Sequence, residues 1–157
     1  MGGKQGLKNQ SYITVYLAGA CFNEPDEGKE WRRRAVDAFR KIDKYDSLKS
    51  CVIDPTNYFS YSEPVHKTDK QVKAFYLSKI KECDILLINL NGSRFSVGSG
   101  QETQYAVCNH IPVIGFGRDN VYPWLNVDCD VIFDTMEEAI GYIKNYYMIS
   151  AQPLKNI

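Results

Sequence analysis

The chain lacks any apolar run long enough to cross a bilayer. Its longest such stretches, among them residues 85–90 (ILLINL), fall far short of the ~20 residues a membrane helix needs. Residues 1–10 are polar and glycine-rich, without the apolar segment of a signal peptide, and read as a disordered leader. Neither sign of charge is in excess: 19 basic residues balance 19 acidic ones. A net charge of zero leaves no cationic surplus to hold a polyanion, which argues against nucleic acid and for a small-molecule substrate. Histidine is scarce. His66 and His110 are far apart, with no ligand-spaced cysteine beside either, so no metal site is expected. The 5 cysteines (Cys21, Cys51, Cys83, Cys108 and Cys129) are odd in number and form no C-x-x-C pair, and they read as reduced thiols of a cytoplasmic protein.

What is present is ordinary globular material: 44% hydrophobic and 24% charged residues over 157 positions, enough for one core. Strand and helix periods alternate. Residues 12–19 (YITVYLAG) form a β-branched and aromatic run that ends at glycine, as a buried strand does. Residues 27–45 place Trp31, Ala35, Ala38, Phe39 and Ile42 at helical spacing. A short strand over 50–54 stops at Pro55, and a Tyr-, Ser- and Pro-rich loop runs to about residue 68. A helix is predicted over 70–83, then a strand over 84–90 that is apolar on both faces, as a central parallel strand must be. A glycine-rich loop over 91–100 leads to a helix over 101–109. Strands follow at 111–116 and 131–133, and a closing amphipathic helix at 135–147 turns Met136, Ala139, Ile140, Ile143 and Tyr147 inward. The expectation is a single α/β domain over residues 12–147, followed by a tail from residue 148. Its architecture is a flavodoxin-like (Rossmann-like) three-layer sandwich with a five-stranded parallel sheet. In such sheets ligands bind beyond the carboxyl ends of the strands at the switch in strand order, which points to the loops over 18–25 and 91–102.

Residues 96–102 (SVGSGQE) carry the most chemistry. Gly98 and Gly100 allow close backbone approach, Ser96 and Ser99 add hydroxyls, and the following helix offers free N–H groups. Glu102 is either a catalytic carboxylate at the binding edge or the partner of Ser99 in an S-x-x-E capping box, two roles that do not exclude each other. Asp54 and Asn57 flank Pro55 near the same edge, as sugar or base contacts or as turn formers. Cys21 and Phe22 sit in the first loop, where an aromatic ring could stack on a base or pack on the core. The run Trp31-Arg32-Arg33-Arg34 either steers phosphate or forms a solvated helix face. The aromatic residues 58–61 (YFSY) either lie over a ligand or bury themselves; His66 and His110 read as surface or turn residues.

Residues 96–106 (SVGSGQETQYA), 15–22 (VYLAGACF), 84–91 and the ending with Pro123-Trp124 and 137–147 (EEAIGYIKNYY) together resemble the nucleoside 2-deoxyribosyltransferase family, in order and spacing, over most of the chain. The resemblance implies that Glu102 is the nucleophile toward the anomeric carbon of a nucleoside or nucleotide. It also implies that Tyr16 orients that carboxylate, that no cofactor is needed, and that the sugar is transferred to another base. Gly19, Phe22, Ser96, Gly98, Ser99, Gly100, Asp54, Asn57 and Tyr76 are the implied substrate contacts. A homodimer or larger homo-oligomer is implied, a neighbouring chain closing each site through residues 119–126. Two departures matter. Ser96 stands where transferases of free deoxynucleosides usually carry aspartate, and resembles relatives that hydrolyse nucleoside 5′-monophosphates. Tyr76 stands where the family often has an aspartate that manages the leaving base, with Asp69 two turns upstream as a substitute. The first leaves an N-glycosidase open as the activity, and the second a nucleotide-binding sensor with weak turnover.

Overall fold

The computed structural model describes residues 12–21, 24–43, 49–58 and 67–148. Phe22, His66, residues 59–61, the leader and the tail beyond Met148 lie outside them; Met148 itself, expected to open the tail, is buried against the core. Five parallel strands form one sheet in the order β2-β1-β3-β4-β5. They are β1 (Tyr12–Gly19), β2 (Lys49–Ile53), β3 (Ile85–Asn89), β4 (Val113–Phe116) and β5 (Val131–Phe133). The helices are α1 (Lys29–Asp43), α2 (Asp69–Glu82), α3 (Val97–Cys108), α4 (Pro123–Asp128) and α5 (Met136–Ile143). The expected flavodoxin-like order is the one observed, and the switch lies between β1 and β3.

The pleat of β1 sorts the core. Val15 and Leu17 project to the side covered by α1 and α5, where they meet Phe39, Met136 and Ile140. Tyr16 and Ala18 project to the other side, under α2, α3 and α4, with Ile80, Ala106 and Leu125. β3 is buried on both faces, with Ile85, Leu86, Leu87 and Ile88 inaccessible to solvent, which is why its sequence is continuously apolar. At the amino ends of the strands, Thr14 N–H donates to Asp84 Oδ2 (2.9 Å) and Val113 N–H to Asp130 Oδ2 (2.7 Å), satisfying donors that start the ladder.

The short helix α4 is not expected from the sequence, most element ends shift by one or two residues, and three boundaries differ for a visible reason. Helix α3 begins at Val97, not near residue 101, because Ser96 caps it: Ser96 is extended, and its Oγ accepts the Ser99 N–H at 3.3 Å. The capping box assigned to Ser99 and Glu102 is therefore replaced by a Ser96–Ser99 cap, and Glu102 lies one turn further in. Strand β4 starts at Val113 because Pro112 has no N–H to donate and the Ile111 N–H turns back to the Ala106 carbonyl (2.9 Å). The last helix, capped by Thr135, is α-helical only to Ile143 and then widens into a π-turn over Lys144–Met148 that buries Met148.

Candidate active site

Beyond the carboxyl ends of β1 and β2, between α2 and the start of α3, lies a cavity of about 560 Å³. Tyr16 rises into it from β1, its ring fully buried, and its hydroxyl donates to Glu102 Oε2 from the second turn of α3. Strand and helix thus deliver two groups, 86 residues apart in the chain, to one hydrogen bond. Removal from water pushes the Glu102 carboxyl up from 4.5 to about 7, against the opposing effects of the Tyr16 hydroxyl and the Arg32 guanidinium. Burial, reinforced by the neighbouring Glu102 charge, raises the Tyr16 phenol well above its usual value, so it stays a hydrogen-bond donor across the working pH range. The Cys21 thiol on the same wall is also raised, chiefly by burial.

Ser96 and Ser99 meet at the amino end of α3, their hydroxyl oxygens 2.8 Å apart, and both line the cavity with Gly98. A Cβ at Gly98 or Gly100 would meet nothing, so the fold itself does not demand glycine at either position. Gly19 closes the cavity at the end of β1. On the α2 wall the Tyr76 hydroxyl donates to the Pro55 carbonyl at 3.0 Å, and Asp69 and Lys73 line the same space.

Of the residues singled out in the sequence, Tyr16, Gly19, Cys21, Asp69, Tyr76, Ser96, Gly98, Ser99 and Glu102 therefore share this cavity. Gly100 does not line it. Asp54 and Asn57 line a neighbouring depression against α1; Asp54 Oδ1 accepts from the Thr56 N–H (2.9 Å) and hydroxyl (2.6 Å), capping the 3-10 turn Pro55–Asn57. Phe22 lies outside the described residues. The arginine run divides. Arg33 and Arg34 are exposed in ion pairs with Glu30, Asp37 and Glu137, while Arg32 is buried and lines the cavity. Arg32 and Lys73 are the cavity cations that sequence reasoning did not separate out. Only the phase of α1 relative to Trp31, Ala35 and Phe39 hints that Arg32 turns inward. Among the described residues no group of three or more His, Cys, Asp or Glu converges as a metal site would, and no helix is long and apolar enough to cross a membrane.

A parallel five-stranded α/β sheet with a cavity beyond the carboxyl ends of its strands defines a protein of the Rossmann-like class, and the paired carboxylate and tyrosine hydroxyl make that cavity the candidate small-molecule site. The family model described as nucleoside 2-deoxyribosyltransferase matches residues 15–145, and the chain belongs to that family. Membership places it among enzymes of the nucleoside 2-deoxyribosyltransferase type. Solved structures that share the fold include the following three. The 2-deoxyribosyltransferase of Bacillus psychrosaccharolyticus superposes with a TM-score of 0.65 at 19% identity, over 92% of this chain and 99% of its own. The 2-desoxiribosyltransferase of Leishmania mexicana gives 0.59 at 19% identity, over 86% and 99%. The CMP N-glycosidase of Clostridium botulinum gives 0.50 at 16% identity, over 85% and 99%. A search of curated protein sequences returns no match.

Proposed function

We propose that the protein cleaves the N-glycosidic bond of a (deoxy)nucleoside through a covalent sugar–Glu102 intermediate and transfers the sugar to another base. The carrying observation is the Tyr16–Glu102 pair on the cavity floor. An oxygen of Glu102 attacks the anomeric carbon as the carbon–nitrogen bond breaks; the electron pair leaves with the base, which takes up a proton. The Glu102 ester neutralises the oxocarbenium character that develops, as a carboxylate does in retaining glycosidases. A nitrogen of a second base then attacks the same carbon, loses its proton and releases Glu102 as carboxylate. Tyr16, donating to one carboxylate oxygen, leaves the other to attack. Asp69 on the α2 wall is the carboxyl group available for the leaving base, since the Tyr76 hydroxyl is directed to Pro55.

The second reading is hydrolysis of a nucleoside 5′-monophosphate. It is favoured by the paired Ser96 and Ser99 hydroxyls at the start of α3, where a phosphate would find hydrogen-bond donors and the positive end of a helix instead of a carboxylate. Incubation with a panel of deoxynucleosides and monophosphates, with and without free acceptor base, separates the readings by chromatography. A new nucleoside means transfer, and free base without acceptor means hydrolysis. Binding with no product would overturn both and leave a nucleotide sensor.

A further inference from the structure

Arg32 is 1% exposed, an unusual place for a guanidinium. Its Nε–H donates to the Leu17 carbonyl (3.1 Å), Nη1 to Gly28 (2.9 Å) and Nη2 to Gly19 (2.9 Å). These three acceptors belong to the end of β1 and the start of α1, so one side chain ties together both ends of the loop that walls the cavity. The loop is shaped to admit it. Gly28 has φ 72°, and a Cβ there would come within 2.4 Å of Arg32 Nη1 and 2.6 Å of the Ala20 carbonyl oxygen. The Trp31 ring lies 4.7 Å from the guanidinium carbon. Carbonyl dipoles and a ring face solvate a cation but do not neutralise it, and among the described residues Arg32 forms no ion pair. Three carboxylates share its cavity, Glu27, Asp69 and Glu102, and of these it is the Glu102 carboxyl, paired with Tyr16, whose ionised form the Arg32 charge favours.

We propose that Arg32 is a positioning residue for the glycosidic reaction: its guanidinium ties the end of β1 to the start of α1 through three carbonyls and places a buried positive charge on the cavity wall that favours the ionised form of Glu102. The inference rests on the reading of Glu102 as nucleophile. Other groups face the same space. Tyr16 comes from β1, Cys21 and Glu27 from the loop, Asp69, Lys73 and Tyr76 from α2, and Asp26, which caps the approach to α1, also feels the Arg32 charge. Burial opposes ionisation of Glu102, while the Tyr16 hydroxyl and the Arg32 charge favour it. Of the two cavity cations, Arg32 and Lys73, only Arg32 is buried, where water screens its charge least.

The test compares Arg32→Lys, which keeps the charge and loses the fork, with Arg32→Gln, which loses the charge. Glutamate labelled with 13C at the side-chain carboxyl is titrated by NMR in the full chain, and Glu102→Gln identifies the Glu102 signal. Arg32→Gln should raise the Glu102 midpoint by about one pH unit, so that the ionised fraction at pH 7 falls roughly fivefold. The acid limb of kcat/KM should move with it. Arg32→Lys should leave the midpoint within about 0.3 units while lowering kcat through the loosened loop. An unchanged midpoint in folded Arg32→Gln overturns the proposal. If Arg32→Gln does not fold, Arg32→Lys decides, because a midpoint raised by a full unit with the charge retained overturns it equally. The titration does not depend on turnover, so an active Glu102→Gln would refute the nucleophile and leave the Arg32 result standing.

Discussion

At the scale of single residues the chemistry turns on a carboxyl group that burial and hydrogen bonding pull in opposite directions. Glu102→Gln preserves shape and removes the charge that must attack. Activity should fall by several orders of magnitude in a chromatographic assay, and near-normal turnover would refute the assignment. Stability should move the other way. A carboxyl raised to about 7 when folded, against an ordinary 4.5, stabilises the fold fully below about pH 4.5, and that contribution is lost as pH rises through 7. Glutamine has no proton to lose, so at pH 8 Glu102→Gln should be more stable in urea by on the order of 1–2 kcal/mol. The same shift predicts that kcat/KM rises with pH through about 7, since only the ionised form attacks. A rate flat between pH 5 and 8 would exclude Glu102 as an ionising nucleophile with that midpoint. Tyr16→Phe keeps the buried ring and deletes the bond to Glu102. A bond to a charged group is worth about 1.5–3 kcal/mol, so the rate should drop roughly ten- to a hundredfold, and the acid limb should move to higher pH. An unchanged rate would make Tyr16 a packing residue.

Among elements, the start of α3 decides what end of the substrate is recognised. Ser96 caps the helix and shares a hydrogen bond with Ser99 at the cavity. If these hydroxyls and the first N–H groups take a phosphate, a nucleoside monophosphate should bind roughly tenfold or more tightly than its parent nucleoside. Ser96→Asp retains a good capping side chain, so the helix should survive, but it sets a carboxylate against the phosphate. The preference should vanish and use of free nucleosides should improve, read by calorimetric titration of matched pairs. Tighter binding of the nucleoside by the unmodified protein would return the site to a plain deoxyribosyltransferase.

On the scale of the whole molecule, α4 and its approach present apolar side chains to solvent. Trp124 is 73% and Val127 79% exposed, with Tyr122 beside the indole at 6.2 Å between ring centroids. This surface overlaps residues 119–126, where the family resemblance implies that a neighbouring chain closes the site. Burying it in a homo-oligomer would remove an unusual exposed patch. Sedimentation should show a dimer or larger species, and Trp124→Glu should convert it to monomer with loss of activity. A fully active monomeric unmodified protein would refute the assembly.

Much of this was legible in order and period. Alternating 2.0 and 3.6 periodicities identify five strands and four of the five helices, the six-residue α4 being too short to show a period, and a strand such as β3, apolar from Ile85 to Ile88, has to be central. Runs of that kind need no tertiary information because burial on both faces leaves no polar position. The glycine-rich segment and Glu102 also stand out, and the rule of the switch point predicts the edge at which they lie. Other features are decided only by folding. Ser96 rather than Ser99 caps α3, because a cap depends on which residue leaves the helical conformation, and several serines in a row satisfy the same pattern. Arg32 reads like Arg33 and Arg34 in the sequence, yet only its phase on α1 turns it onto the carbonyls of Leu17, Gly19 and Gly28. The Tyr16–Glu102 bond joins two elements distant in the chain, and no local pattern encodes the distance between them. Periodicity is a property of neighbours along the chain. A pocket is made where elements remote in sequence are brought together by the packing of the sheet and its helices.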